Sequence, residues 1–128
     1  MADTAAHPAQ PASIIGYHAH VYYDPADPAS RERAAQLRGW VEAQFTVRMG
    51  RWHDVPVGPH PRAMYQIAFE PDQFSTLVPF LMLNRQGLTV LVHPETGDDY
   101  IDHADHAVWL GAKLPLNLEF LRRLKAGA

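Results

Sequence analysis

The segment IIGYHAHVYY, residues 14–23, decides the fold because it predicts a strand with two chemically different faces. Its β-branched and aromatic residues favour a strand, and Asp24-Pro25 ends it, since proline cannot donate to a β ladder. Successive side chains of a strand point to opposite faces. We expect one face to pack against helices through Ile15, Tyr17, Ala19 and Val21. The opposite, open face then carries Gly16, His18, His20 and Tyr22.

The sequence that follows this strand predicts the element order β-α-β-β-α-β. Two stretches have apolar residues at helical spacing; Ser30 is the expected N-cap of the first and Asp72 of the second. The predicted helices cover 30–45, 72–84 and, at the end of the chain, 116–124; the predicted strands after the first cover 46–52, 63–69 and 88–93, with a short segment at 104–110. This order is that of a ferredoxin-like α+β domain, with both helices on one face of an antiparallel sheet.

The domain organisation follows from composition and length. Residues 1–13 are rich in alanine and proline and predict a disordered tail, and residues 14–124 predict a single domain. Because the helices cover only one face of the sheet, we expect a second copy of the chain to cover the other. The predicted assembly is therefore a homodimer.

Composition excludes several classes of function. The 128 residues include no cysteine, which excludes a disulfide scaffold, a thiol nucleophile and a cysteine-ligated metal. The net charge of −3, without a basic run, argues against nucleic acid or an anionic membrane as a partner. No apolar stretch is long enough to span a membrane, and no secretory signal is present, so we expect a cytoplasmic protein.

The eight histidines are the unusual feature of the sequence. In the strand 88–93, alternation directs Leu88, Val90 and Val92 toward the helices and leaves His93 on the open face. Sheet twist and dimer closure could bring His93 near His18 and His20, together with His60 from the proline-rich loop 54–62. Several imidazoles directed at one space are typical of a metal site. The alternative for each histidine is an ordinary hydrogen-bonded residue.

Three runs of sequence carry a resemblance to a known family: YHAHVYYD at 17–24, RWHDVPVGPHPRAMYQIAF at 51–69 and LTVLVHPETGDDYIDHADHAVWLG at 88–111. In this order, over most of 17–115, the chain resembles the DOPA 4,5-dioxygenase family of small single-domain extradiol dioxygenases. The resemblance implies a ferredoxin-like fold and a non-haem Fe(II) site. It also implies an enzyme that opens a catechol ring with O₂, L-DOPA in the named members, to give a muconic semialdehyde.

The resemblance also assigns roles to particular residues. It implies His20, His60 and His93 as iron ligands and His18 as a residue that contacts the substrate or acts as an acid–base group. His103 could protonate the leaving oxygen, and His106 beside it could contact substrate. A carboxylate as the third ligand stays open, as does a ligand set of three histidines: Glu95, Asp98, Asp99 and Asp102 closely follow His93, although no carboxylate shares the open face of the two histidine strands. The remaining candidates for substrate binding are Arg62 or Arg51, which could pair with a carboxylate, and Tyr22 and Tyr65, which could stack or hydrogen-bond.

Two other classes of function fit the same residues. A non-catalytic ferredoxin-like dimer could bind metal or a small aromatic ligand without consuming oxygen. Zinc at the same histidines, a metal that purified protein could also carry in place of iron, could activate water for hydrolysis that is independent of O₂.

Overall fold

The computed structural model describes residues 6–127, which form one five-stranded antiparallel sheet with four α-helices. Short 3₁₀ turns lie at Pro11–Ser13 and Pro71–Gln73. The strands are β1 (Gly16–Tyr22), β2 (Arg48–Met49), β3 (Met64–Phe69), β4 (Val90–Glu95) and β5 (Val108–Leu110). The helices are α1 (Pro28–Gln44), α2 (Phe74–Asn84), α3 (Asp99–His103) and α4 (Leu118–Gly127). The predicted α+β class and the order of its first six elements are confirmed.

The strands lie in the spatial order β2-β3-β1-β4-β5, with every neighbouring pair antiparallel. β1 therefore lies at the centre of the sheet, paired on one side with β3 and on the other with β4. β5 extends the sheet beyond β4, where the sequence predicts only a short segment. The segment that decides the fold thus contacts both halves of the chain.

Both predicted helix starts differ from the structure. α1 begins at Pro28, and its N-cap is Asp27, whose side chain accepts a hydrogen bond from the Ala29 amide. The hydroxyl of Ser30 instead accepts a hydrogen bond from the Asp24 amide, at 2.9 Å. α2 begins after the 3₁₀ turn that contains Asp72, so that residue is not its N-cap. Proline at the first helical position favours the earlier start of α1, because its fixed φ suits a helix and its missing N–H is not needed there.

β4 continues two residues past its predicted end, through Pro94 to Glu95. A proline inside a sheet normally removes a ladder hydrogen bond. β5 pairs only with Val90–Val92, so at Pro94 the strand has a single neighbour, β1, and tolerates the proline as an edge strand would. Glu95 is consequently a strand residue, placed opposite Gly16.

The main core lies between the sheet and the helices α1 and α2. Most strand residues that alternation assigns to this face are buried there, including Ala19 and Val21 from β1 and Val90 and Val92 from β4. The prediction for Ile15 is wrong: it lies before the start of β1 and is exposed, because no helix of the described chain covers that end of the strand. Leu37 and Val41 of α1 and Leu77 and Leu81 of α2 complete it. This face of the sheet follows the sequence pattern directly.

The open face is covered by the C-terminal segment of the same chain. Leu114 and Leu116 pack against Tyr22, Met64 and Leu91 in a second apolar cluster. The argument that a second copy must cover this face is therefore wrong, because the pattern of the six predicted elements does not show where the chain goes after β4. A homodimer stays a prediction.

The beginning of the described chain joins the sheet near the predicted domain boundary. The Ile15 amide donates to the Glu95 carbonyl at 3.0 Å, and Pro11–Ser13 forms the 3₁₀ turn just before it. Residues 1–5 lie outside the described part, and the division into a tail, 1–13, and a domain, 14–124, stays a prediction. Within residues 6–127, no helix has the length and apolar character needed to cross a membrane.

Candidate metal centre

Five histidines meet on the open face of the sheet, and two of them face each other across the central strand pair. His18 on β1 lies directly opposite His93 on β4 in the hydrogen-bonded register. β1 and β4 are neighbours, so neither sheet twist nor dimer closure is needed to bring these side chains together. His20 lies two residues along β1 and points to the same face.

The rings of His20 and His93 are parallel, and their Nε2 atoms lie 3.1 Å apart. The His60 ring centroid lies 4.1 Å from that of His20, and the His103 centroid lies 3.9 Å from that of His93. His18 lies beside them, with its centroid 5.2 Å from that of His93. The structure thus brings together the three predicted ligands and the two predicted acid–base residues.

Hydrogen bonds hold the Nδ1 atom of three of these rings. His93 Nδ1 lies 3.0 Å from the Pro94 carbonyl, and His103 Nδ1 lies 2.7 Å from the Asp99 carbonyl. A carbonyl oxygen only accepts, so in both rings Nδ1 carries the proton and Nε2 is unprotonated; His93 Nε2 then accepts the hydrogen bond from His20 Nε2. His60 Nδ1 lies 2.7 Å from the Tyr22 hydroxyl. An imidazole held through one nitrogen and open at the other is the usual arrangement of a metal-ligating histidine.

The His60 loop is fixed by the C-terminal segment. The His60 amide donates to the Val57 carbonyl, which closes a turn, and the Asn117 amide donates to the Pro59 carbonyl at 2.8 Å. Gly58 in this turn has φ +59°, a left-handed conformation that glycine adopts without steric cost. The conformation of the GPHP sequence therefore depends on a segment more than 50 residues further along the chain.

His103 lies at the end of α3, which is also fixed by long-range contacts. The Asp98 side chain caps α3 by accepting from the Ile101 amide, and it pairs with Lys125 of α4 at 2.8 Å. This ion pair and the cap hold the loop that follows β4 over the open face. His103 reaches the cluster because of this closure, which strand alternation does not indicate.

Burial keeps four of these imidazoles, those of His18, His20, His60 and His93, neutral. Burial, together with neighbouring histidines, lowers the pKa of His60 to about 4 and that of His93 to about 3. The pKa of His20 falls well below its usual value for the same reasons, and burial lowers that of the half-buried His18 as well. Neutral imidazoles are the form that binds a metal ion.

The donor atoms suit a metal ion. Two groups of three have their ligand nitrogens within 4.8 Å of one another: His18, His20 and His93, and His20, His60 and His103. His20 belongs to both, so the predicted set His20, His60 and His93 takes two members from each group. A separation of 3.1 Å is close to what two nitrogens about 2.1 Å from one ion show at roughly a right angle. His20 Nδ1 is buried without a hydrogen-bond partner among the described residues, so hydrogen bonding alone does not account for this ring.

Glu95 is the carboxylate that reaches the cluster. Its oxygens lie 3.7 Å from His18 Nε2 and 3.5 Å from His93 Nδ1, and one of them, Oε2, is buried with no hydrogen-bond partner in the part of the chain that the structure describes. The expectation that no carboxylate shares the open face is wrong, because β4 continues to Glu95 and alternation then places it beside His93. Burial and the nearby aspartates raise the pKa of Glu95 to about 7.

Two of the other candidate carboxylates have structural partners. Asp98 caps α3, and the fully buried Asp102 accepts from the amide and hydroxyl of Thr96 and lies 3.1 Å from His106 Nδ1. These bonds hold the 96–106 loop and occupy oxygens that a metal would need. Asp99 contributes its backbone carbonyl to His103.

The predicted substrate-binding residues separate into different places. Tyr22 is buried on the open face, with its hydroxyl on His60, whereas Tyr65 lies in the helix-side core, where its hydroxyl donates to the Ala34 carbonyl at 2.7 Å. The prediction that Tyr65 contacts substrate at the histidines is therefore wrong, because alternation along β3 points it to the other face. Arg62 lines a cavity next to Tyr22, and Arg51 is exposed outside that cavity.

Comparison with known proteins identifies the family of this chain. The family model of the Dopa 4,5-dioxygenase family matches residues 17–120, so the chain belongs to this family. It is similar to a crystal structure from Nostoc punctiforme PCC 73102, at 56% identity over 91% of this chain and 99% of that one, with a TM-score of 0.87. That protein is provisionally named a dioxygenase. The family predicted from the three sequence runs is confirmed.

Two curated fungal proteins are also similar. A DOPA 4,5-dioxygenase from Amanita muscaria is 33% identical over 111 residues, and a 21.2 kDa uncharacterized protein from Botryotinia fuckeliana is 35% identical over 118 residues. The chain spans 49% of the length of the first and 64% of the length of the second. Both relatives are therefore longer than this chain.

Proposed function

We propose that this protein is an extradiol dioxygenase that opens a catechol ring with O₂ at a non-haem Fe(II) site. The observation that carries the proposal is the cluster of imidazoles, of which His93 and His103 hold their Nδ1 protons on backbone carbonyls and present an unprotonated Nε2 to the cluster. Membership of the family and the dioxygenase names of two relatives support the reaction class. L-DOPA or a related catechol is the proposed substrate, and a muconic semialdehyde is the proposed product.

The proposed iron ligands are His20, His60 and His93, and His103 offers a further nitrogen beside them. Fe(II) held there would supply the redox chemistry that lets O₂ react with the ring. Both oxygen atoms enter the product, so the overall reaction needs no external reductant. Tyr22 holds Nδ1 of His60, and backbone carbonyls hold Nδ1 of His93 and of His103. These hydrogen bonds orient the three rings before any ion binds.

His18 and Glu95 are the proposed proton-handling residues. His18 is only half-buried, and its lowered pKa leaves it neutral at pH 7 and able to accept a proton from a catechol hydroxyl. Glu95, with a pKa of about 7, lies 3.7 Å from His18 Nε2 and can exchange a proton with it or with solvent. His103 is the second candidate for returning a proton to the leaving oxygen.

The test is O₂ uptake by protein that has been loaded with Fe(II) under anaerobic conditions and given L-DOPA and simpler catechols in turn. We expect uptake matched by a yellow semialdehyde product, with His93→Gln losing at least a thousandfold in rate. His106→Gln is the matched control, since His106 lies in the same loop with its ring on Asp102, outside both groups of donor nitrogens.

Other outcomes favour the alternative classes. Tight Fe(II) binding without O₂ uptake for any catechol would contradict the oxygenase proposal and favour a binding protein. Ester or lactone cleavage by the zinc-loaded protein in the absence of O₂ would favour a hydrolase.

A further inference from the structure

The two groups of donor nitrogens differ in the elements that position them. His18, His20 and His93 project from β1 and β4, which pair directly with each other in the sheet. In the other group only His20 lies on the sheet, whereas His60 lies in the loop before β3 and His103 at the end of α3. The second group therefore depends on what holds this loop and this short helix in place.

The beginning of the C-terminal helix α4 holds the loop that carries His60. Just before the helix, the Asn117 amide donates to the Pro59 carbonyl at 2.8 Å, and the Asn117 side chain accepts from the Phe120 amide at 3.2 Å. The Phe120 ring lies beside Gly58, where an added Cβ would be 3.7 Å from its Cε2 atom. The start of α4 is thus fixed to the residues next to His60.

The rest of α4 holds α3, which carries His103. Arg122 donates to the Tyr100 hydroxyl at 2.7 Å, and its guanidinium lies 5.0 Å from the centroid of the Tyr100 ring. Lys125 donates to the Asp98 side chain at 2.8 Å. A helix as short as α3, with five residues, is not stable in isolation, so its position depends on contacts of this kind.

α4 is itself held mainly by these polar contacts. Leu121 is the one side chain that the helix buries within 118–127, and Arg122 and Lys125 are exposed. Ion pairs between exposed side chains contribute little free energy and are weakened by salt. A segment with so few buried apolar contacts opens locally at a low cost in free energy. We therefore expect α4 to leave the sheet and the main core intact when it undocks.

The geometry points to α4 as a latch for the metal centre, which holds His60 and His103 beside His20 only while the helix is docked. Because a bound ion would be ligated by residues that α4 positions, metal binding and docking of α4 strengthen each other by the same factor. Arg122 and Lys125 are positioning residues, since they act on the donor atoms only through α3. The inference rests on the metal centre of the proposed function but not on the ring-opening reaction.

The first experiment measures Co(II) affinity, by absorption spectroscopy, after the contacts between α4 and α3 are removed. We expect Arg122→Gln combined with Lys125→Gln to lower the affinity about tenfold, the combined effect of two weak contacts. Lys113→Gln combined with Arg123→Gln is the matched control, because it removes the same positive charge. Arg123 pairs with Glu119 within α4, and Lys113 is an exposed residue before the helix, so this control should stay within about twofold of the unaltered protein.

A double-mutant cycle distinguishes positioning from a general loss of stability. In His103→Gln protein, the same two α4 substitutions should change Co(II) affinity by less than about twofold, because the residue that they position is gone. Lys125→Arg alone keeps the ion pair with Asp98 and should keep the affinity of the unaltered protein. An equal loss with and without His103, or an equal loss in the matched control, would overturn the latch.

The second experiment follows backbone hydrogen exchange with and without Co(II). We expect Co(II) to slow the exchange of amides in 118–127 about tenfold, as the reciprocity of coupling requires. Protection confined to β1 and β4 would mean that the group on the sheet holds the ion alone, and would overturn the latch.

The two proposals fail in different ways. Coupling between Co(II) and α4 in a protein that turns over no catechol would contradict the proposed function alone. Turnover of a catechol without this coupling would contradict the latch alone, and a protein that binds no Co(II) would contradict both.

Discussion

The two faces of the sheet are made by the same strands but differ in what they contain. His20 and Val21 are neighbours in β1 and are both buried, yet Val21 packs in an apolar core and His20 lies among four other histidines. The residues of the helix-side core are apolar side chains packed against other apolar side chains. On the open face, by contrast, His20 Nδ1 and Glu95 Oε2 are buried without a hydrogen-bond partner within residues 6–127.

Adjacent residues of the same strand therefore serve different purposes: one side chain stabilises the core, and the next one belongs to the candidate metal site. Burial of apolar side chains on the helix side stabilises the fold by roughly 25 cal/mol per Å². Burial on the open face contributes less to stability, because desolvating a neutral imidazole costs free energy unless a bound ligand offsets that cost. Substitutions on the two faces should therefore affect different measurements.

The largest effect is expected for His20→Gln, which removes the imidazole shared by both groups of candidate ligands. We expect Co(II) affinity, measured by its absorption spectrum, to fall at least a hundredfold. The free energy of unfolding of the metal-free protein should change by only about 1 kcal/mol, because this ring is not fully hydrogen-bonded in the fold. A large loss of stability with unchanged Co(II) affinity would mean that His20 is a core residue.

The reverse result is expected for Ile67→Ala on the helix side of β3. Ile67 is fully buried in the main core, and such truncations cost about 3 kcal/mol. Urea unfolding should show this loss, while Co(II) affinity under native conditions stays within about twofold. A loss of metal affinity larger than this would show that the two faces are coupled.

Acid should destabilise the metal-free protein through the open face. The folded pKa values of His60, about 4, and His93, about 3, lie below the unfolded value of 6.5, as does that of His20. Their contribution to stability is therefore complete above pH 6.5 and is lost as the pH falls toward 4. Glu95, raised to about 7, acts in the opposite direction because the folded state takes up its proton first.

The lowered pKa values of the histidines outweigh the raised pKa of Glu95, so urea unfolding with chelator present should show a net loss of about 5 kcal/mol between pH 7 and 4.5. His60→Gln should reduce this loss, and Glu95→Gln should increase it. A stability that is constant over this range would mean that the imidazoles are not buried in the neutral form.

The smallest effect is expected for Tyr22→Phe, which leaves the ring in place and removes the hydroxyl that holds His60 Nδ1. We expect Co(II) affinity to fall about tenfold, the usual cost of losing a hydrogen bond that orients a ligand. Tyr23→Phe is the matched control, since its buried hydroxyl donates to Asp54 on the other side of the strand. Equal effects of the two variants on Co(II) affinity would contradict the role of Tyr22.

Much of the fold can be predicted from local sequence pattern, and the errors of that prediction have local causes. The six predicted elements are present because their apolar periodicity matches the face each one buries. The pattern predicts the N-cap of α1 at Ser30, whereas the structure has it at Asp27. Both residue types cap helices, and the pattern does not show that Pro28 already belongs to the helix. The predicted β4 is two residues too short, because a proline such as Pro94 normally ends a strand. The strand tolerates Pro94 only because β5 does not extend that far along it.

Part of the candidate site can likewise be predicted from local pattern, and part of it cannot. Alternation alone placed His18, His20 and His93 on one face, and their meeting follows once β1 and β4 are neighbours. The same rule applied to β3 would have placed Tyr65 in the core, where its hydroxyl bonds Ala34.

Local sequence pattern is enough to predict the α+β class, the two-faced central strand and the histidines that face away from the helices, because strand and helix periods are properties of a few consecutive residues. Three features depend on the folded chain: β1 and β4 are adjacent, the C-terminal segment covers the open face, and His60 and His103 reach the cluster. These contacts join residues tens of positions apart. Their free energy depends on the closed chain as a whole, and no local pattern encodes it.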